Sequence, residues 1–211
     1  CYRALNGRSG QRYSAGVSGT LITGSAIHYG YYMPFGLLTP ASWVALFTRR
    51  YMHLTGCTQD ALFEIAQATR DYAVRNPAAF FYQRPMTRAD YDAGKKICNP
   101  LTLYDCCQES DGGCAIVVTT PERARHLKQP GVSIRGVAQC IAKDQEEMTS
   151  FYRPDIARIP EMDLAADEAY AQCGLSAQDI DAAVIYDAFT PIVLWQLEPW
   201  GFCKYGEAAD F

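Results

Sequence analysis

The run Ala182-Ala183-Val184-Ile185-Tyr186-Asp187-Ala188-Phe189-Thr190-Pro191 constrains the fold more than any other stretch of this chain. Its first four residues are apolar and too few for a helix, so they predict a short buried strand. The strand ends at Tyr186-Asp187. Thr190-Pro191 at once caps a new helix, which carries Ile192, Val193, Leu194 and Leu197. Proline suits the first helical position because the amide proton it lacks has no partner there. A strand that turns directly into a helix is a unit of α/β architecture.

The same alternation recurs along the chain. Leu101-Thr102-Leu103 and the apolar run Cys114-Ala115-Ile116-Val117-Val118-Thr119 predict two strands about the turn Asp111-Gly112-Gly113. Val132-Ser133-Ile134-Arg135-Gly136-Val137 alternates as a further strand. Between and before these lie helices with readable ends. Thr39-Pro40 opens one that Gly56 stops, and Thr58 opens a second that runs to about Val74, before Asn76-Pro77. Thr87-Arg88-Ala89-Asp90 and Ser176-Ala177-Gln178-Asp179 have the spacing of capping boxes. Pro121 starts a short helix, and residues 162–173 form another that Gly174 stops. Residues 6–36, rich in Gly, Ser and Tyr, read as loop.

Composition narrows the function classes. Of 211 residues, 19 are Lys or Arg and 23 are Asp or Glu, a net charge of −4, and 49% are hydrophobic. A disordered tail would be less apolar, and a nucleic-acid surface would need clustered cations. No apolar run reaches the roughly 20 residues of a membrane span. The nine cysteines are irregularly spaced, with no C-x-x-C pair and no histidine at zinc-ligand spacing. They read as small buried residues of a protein from the reducing cytoplasm.

Three places can carry chemistry. At the strand–turn–helix, Tyr186 and Asp187 stand where α/β sheets bind ligands. They can move a proton to or from a substrate oxygen, or be a strand-end aromatic and a carboxylate satisfied by local backbone. The segment Asp105-Cys106-Cys107-Gln108-Glu109-Ser110-Asp111 places thiols and carboxylates at a sharp turn, as a cleft or as a tight turn of small core residues. The aromatic loop Tyr29-Gly30-Tyr31-Tyr32-Met33-Pro34-Phe35 either lines an apolar pocket or packs as ordinary core.

Several motifs occur together and in one order: Arg3-Ala4-Leu5-Asn6-Gly7-Arg8-Ser9-Gly10, Pro34-Phe35-Gly36-Leu37, Asn76-Pro77-x-Ala79, Asp105-Cys106-Cys107-x-x-x-Asp111-Gly112 and Tyr186-Asp187-x-Phe189-Thr190-Pro191. They resemble the lipid-transfer-protein branch of the thiolase superfamily, which includes the thiolase-like domain of sterol carrier protein x and bacterial steroid side-chain aldolases. The resemblance implies a layered αβαβα fold of two similar halves with an inserted loop domain, of which this chain is an incomplete, central piece. Residues 1–8 would end a strand of the first half and 9–105 would be loop domain. Residues 106–130 would return to the first half, and 131–211 would begin the second. The family's nucleophilic cysteine would lie before Cys1, and its histidine and second catalytic cysteine after Phe211.

The resemblance also implies chemistry. Tyr186-Asp187-Ala188-Phe189 falls where thiolases carry Asn-Glu-Ala-Phe, whose Asn helps build an oxyanion hole. A phenol there suits acid–base work. The implied reaction is retro-aldol cleavage of a bulky, sterol-like β-hydroxyacyl-CoA to a ketone and a shorter acyl-CoA, with Tyr186 and Asp187 catalytic. Tyr32, Pro34 and Phe35 would line an apolar substrate pocket. No metal or organic cofactor is implied, since CoA arrives on the substrate. The implied partners are a second copy of the chain and a small OB-fold protein with a zinc ribbon. The alternatives are a thiolase or acyltransferase whose cysteine lies outside this piece, and a non-catalytic lipid- or acyl-CoA-binding subunit.

Overall fold

Helix ends fall where side chains can satisfy the free backbone groups of a first turn. In the computed structural model, which describes residues 30–110, 112–144, 151 and 153–211, Thr39 and Ser42 exchange side-chain to backbone hydrogen bonds at the start of α1 (Pro40–Thr55). Gly56, at φ +77°, ends that helix and donates to Met52 O at 3.0 Å. Thr58 accepts from Asp60 N at the start of α2 (Gln59–Arg75). The Thr87–Asp90 box opens α3 (Arg88–Ala93). Two short antiparallel strands follow, β1 (Lys96–Cys98) and β2 (Leu101–Thr102), with a cis Asn99–Pro100 bond between them. A 3-10 turn (Leu103–Asp105) continues β2. The remaining helices are α4 (Pro121–Ala124), α5 (Pro160–Cys173), ended by Gly174 at φ +67°, and α6 (Thr190–Leu197).

The main core lies where α1, α2, β2 and α6 meet. Tyr51, Leu62, Leu101, Leu194 and Trp195 are buried there, with Phe47 and Ile192 against them. Each fully buried leucine contributes about 1.5–3 kcal/mol. A smaller cluster of Phe63, Ala66, Met86 and Tyr91 holds α3 on α2. Tyr91 is edge-on to Phe63, with ring centroids 5.3 Å apart. α2 packs on both α6 and the 3-10 turn at 103–105, and so brings together the two segments that form the site.

Three expected strands do not form. Residues 114–119, 132–137 and 182–185 have no regular secondary structure. Their apolar side chains face outward: Val117 is 85% exposed, Val132 90% and Val184 fully so. The reason is that a strand is completed only by a neighbour that takes its backbone donors and acceptors, and among the described residues no strand lies alongside these runs. Val137 is held on both its backbone groups by the side chain of Gln172 in α5. The motif at residues 3–10, the segment 1–8 and Asp111 lie outside the described residues.

Candidate active site

The site begins with a capping box that ends β2. In Thr102-x-x-Asp105, the Asp105 carboxylate accepts from Thr102 N at 2.7 Å and from the Thr102 hydroxyl at 3.0 Å. The box turns the carboxylate inward, where Asp105 is 1% exposed. Two further donors meet it there. Tyr91 OH, from α3, lies 2.8 Å from Oδ1, and Thr190 Oγ1, from α6, lies 2.8 Å from the same oxygen. An ionised carboxylate only accepts, and here four donors from three parts of the chain surround it. A buried carboxylate is tolerated in this way.

The residues after Asp105 run antiparallel to those before Thr190. Cys106 bridges Phe189, and Cys107 N donates to Ala188 O at 3.0 Å. Two segments that look separate in the sequence, 105–107 and 186–190, are therefore one place in the fold. Thr190 does not cap α6 as its position suggests. Phe189 is the N-cap, with no side-chain cap bond, and the Thr190 hydroxyl turns to Asp105 instead.

Tyr186 and Asp187 sit on the turn that this pairing holds. Tyr186 O accepts from Gln196 Nε2 at 2.8 Å, one turn and more along α6, while the Tyr186 side chain is 72% exposed. Asp187 is half-buried, with Oδ2 3.5 Å from the Thr69 hydroxyl of α2. The positive end of the α6 dipole lies directly after it. Partial burial, together with the carboxylates of Asp187 and Glu109, raises the Cys107 thiol above its ordinary value. Burial, with Asp105 beside it, pushes Cys106 up to about 12. Both thiols stay protonated near neutral pH, and the thiol is the poor nucleophile of the two forms. The chemistry available at this turn is proton transfer by a phenol and a carboxylate.

Of the other expected site residues, Pro34 and Phe35 lie in an exposed 3-10 turn (Met33–Phe35), with Phe35 81% exposed. Tyr32 is half-buried, edge-on to Phe151 at 4.9 Å. No hydrogen bond or ring contact links Pro34 or Phe35 to Tyr186 or Asp187 among the described residues. The sequence reading missed Asp105 as the centre of a buried network that includes Thr190, and Gln196 and Thr69 as the partners of Tyr186 and Asp187. The Thr102-x-x-Asp105 spacing carries the signal for the first of these. Among the described residues, no group of three or more His, Cys, Asp or Glu side chains is placed to hold a metal ion, and no helix is long and apolar enough to cross a membrane.

Comparison with known proteins adds to this geometry. Residues 142–211 match the thiolase C-terminal domain-like family. A steroid side-chain-cleaving aldolase of Thermomonospora curvata is 52% identical over 213 residues, which cover 100% of this chain and 54% of that protein. A 17-hydroxy-3-oxo-4-pregnene-20-carboxyl-CoA lyase of Mycobacterium tuberculosis is 47% identical, over 100% of this chain and 55% of that one. Among solved structures, an Ltp2-ChsH2(DUF35) aldolase superposes with a TM-score of 0.89 at 51% identity, covering 100% of this chain and 53% of its own. The chain spans about half the length of these relatives.

Proposed function

We propose that this chain, whose domain is thiolase-like, cleaves a carbon–carbon bond of a bulky, sterol-like β-hydroxyacyl-CoA by a retro-aldol reaction. One observation carries the reading: an exposed tyrosine, Tyr186, directly precedes a half-buried carboxylate, Asp187, in the chain, on a turn tied to the fold at several points. The two relatives of 52% and 47% identity, named as an aldolase and a lyase, support it.

The residues would act as follows. Tyr186 takes the proton of the substrate's β-hydroxyl, with Asp187 beside it to receive and return that proton. The oxygen's electron pair becomes the carbonyl of the ketone as the bond between the α and β carbons breaks. The electrons of that bond pass to the thioester as an enolate, which is protonated at its α carbon to leave the shorter acyl-CoA. No electrons are gained or lost overall, and the proton removed balances the proton added. The reaction therefore needs no redox cofactor, and CoA arrives on the substrate. Tyr32, Pro34 and Phe35 form part of the apolar lining for the steroid rings in this reading. Residues 9–105 are the inserted loop region, between segments of the first half at 1–8 and 106–130, with the second half starting at 131.

A second copy of the chain and an OB-fold protein with a zinc ribbon are the proposed partners. The two-part name of the solved aldolase supports a partner protein. Eight unpaired cysteines among the described residues support a cytoplasmic setting.

The test is Tyr186→Phe in the full-length natural chain, assayed with the thioester for which the mycobacterial relative is named. Acyl-CoA binding should stay within about threefold, while the cleavage rate falls about a hundredfold or more. Wild-type protein that binds the thioester and leaves it whole overturns the proposal, and so does a Tyr186→Phe variant that cleaves at the wild-type rate.

A further inference from the structure

Five consecutive residues of the 186–190 turn are each met by another part of the fold. Gln196 holds the Tyr186 carbonyl, and Thr69 stands beside the Asp187 carboxylate. Cys107 holds the Ala188 carbonyl, Cys106 bridges Phe189, and Asp105 holds the Thr190 hydroxyl. Three of the five contacts come from the single short segment 105–107, whose position is set by the buried Asp105 carboxylate. That carboxylate is itself fixed by donors on α3 and β2. α6 starts without a side-chain cap, since its N-cap residue is Phe189, and the hydroxyl of its first residue, Thr190, is bound to Asp105. The turn so held carries an exposed phenol rather than a core residue.

We infer that Asp105, acting through Thr190, is a positioning residue that fixes the turn carrying Tyr186 and Asp187; this rests on the retro-aldol reading of that turn. Asp105 and Thr190 touch no substrate in this scheme. Their effect is to keep the phenol where a bound β-hydroxyl would meet it. A displacement of about 1 Å at such a group can cost about a hundredfold in rate.

Asp105→Ala removes a buried acceptor and can prevent folding, so the discriminating variant is Thr190→Val, which keeps the side chain's shape and removes only its hydroxyl. Thr190→Ser restores the hydroxyl. Tyr51→Phe is the control, because it removes a comparable buried hydrogen bond beyond the other end of α6. Tyr186→Phe is measured alongside. All are made in the full-length chain, co-produced with the OB-fold partner, and kcat, KM and Tm are recorded with the same steroid thioester.

Thr190→Val should lose about tenfold to a hundredfold in kcat with KM within about threefold. Thr190→Ser should return to within about threefold of wild type. Tyr51→Phe should lower Tm and leave kcat unchanged. The inference is overturned if Thr190→Val lowers only Tm while Tyr186→Phe loses its rate, or if Tyr51→Phe loses as much rate as Thr190→Val. If Tyr186→Phe cleaves at the wild-type rate, the retro-aldol reading itself falls, and the inference falls with it.

Discussion

The Tyr51 hydroxyl donates to Glu198 Oε1 at 2.5 Å, across 147 positions of sequence. Gly206 N donates to the same oxygen at 2.8 Å. Burial, reinforced by Glu198, pushes the Tyr51 phenol well above its ordinary value, so it remains a donor. Glu198 directly follows α6, and Thr190 at the helix's first residue is bound to Asp105, 85 positions away. Buried side-chain hydrogen bonds from distant segments thus fasten α6 at both ends.

Loss of these two bonds should differ in cost. Tyr51→Phe leaves one buried acceptor short of a donor, at about 1–3 kcal/mol. Asp105→Ala strands the hydroxyls of Tyr91, Thr102 and Thr190 together with the Thr102 amide, and should cost at least about 3 kcal/mol. Urea unfolding of each variant against wild type measures both, and equal costs contradict the account of Asp105 as a shared acceptor.

Acid should weaken the ion pair between Arg153 and Glu161. Arg153 grips Glu161 through both terminal nitrogens, at 2.5 and 3.0 Å, with the two side chains 12% and 15% exposed. Burial alone would raise the Glu161 carboxyl, but the hydrogen bonds and charge of Arg153 outweigh it and hold the group below its ordinary 4.5. A carboxyl depressed in the folded state stabilises the fold above its unfolded value, and that stability is lost as pH falls through the folded value. The stability gap between wild type and Glu161→Gln should therefore be constant from about pH 7 to about pH 5 and shrink below that. Melting temperatures across this range decide it, and a gap unchanged in acid rules the pairing out.

Buried and half-buried thiols should resist alkylation. Burial pushes Cys57 and Cys203 up to about 11 and Cys106 up to about 12, with neighbouring carboxylates adding to each. At neutral pH their thiolate fraction is about a hundredfold or more below that of an ordinary thiol near 8.5. Iodoacetamide labelling followed by peptide mass spectrometry should find them largely unmodified in the folded protein and fully modified in urea. Fast labelling of Cys106 in the folded state would show an activated thiol beside the site.

What the sequence made legible was local. Thr39, Thr58 and Thr87 cap helices, and Gly56 and Gly174 end them, because a cap is decided by residues within one turn of each other. The runs at 114–119, 132–137 and 182–185 have the right residues for strands, yet a strand is decided by a neighbour that its own sequence does not contain. The turn at Tyr186-Asp187 is legible because a short apolar run ends there and a helix begins. Its support is not, because Asp105 meets Thr190 only after the chain has folded back over 85 positions. Cys106 and Cys107 read in the sequence as thiols, whereas what ties them to the 186–190 turn is a backbone amide and a bridge.

The bare apolar run at 114–119 has a consequence for handling the protein. Cys114-Ala115-Ile116-Val117-Val118-Thr119 is six residues of strong β propensity with no charge and no proline, and Ile116, Val117 and Val118 are 84%, 85% and 70% exposed. Such a window stacks readily with identical copies into cross-β order. At high concentration this exposed run is a hazard for self-assembly of the 211-residue polypeptide. Adding a lysine on this run would guard against it at little cost to the core.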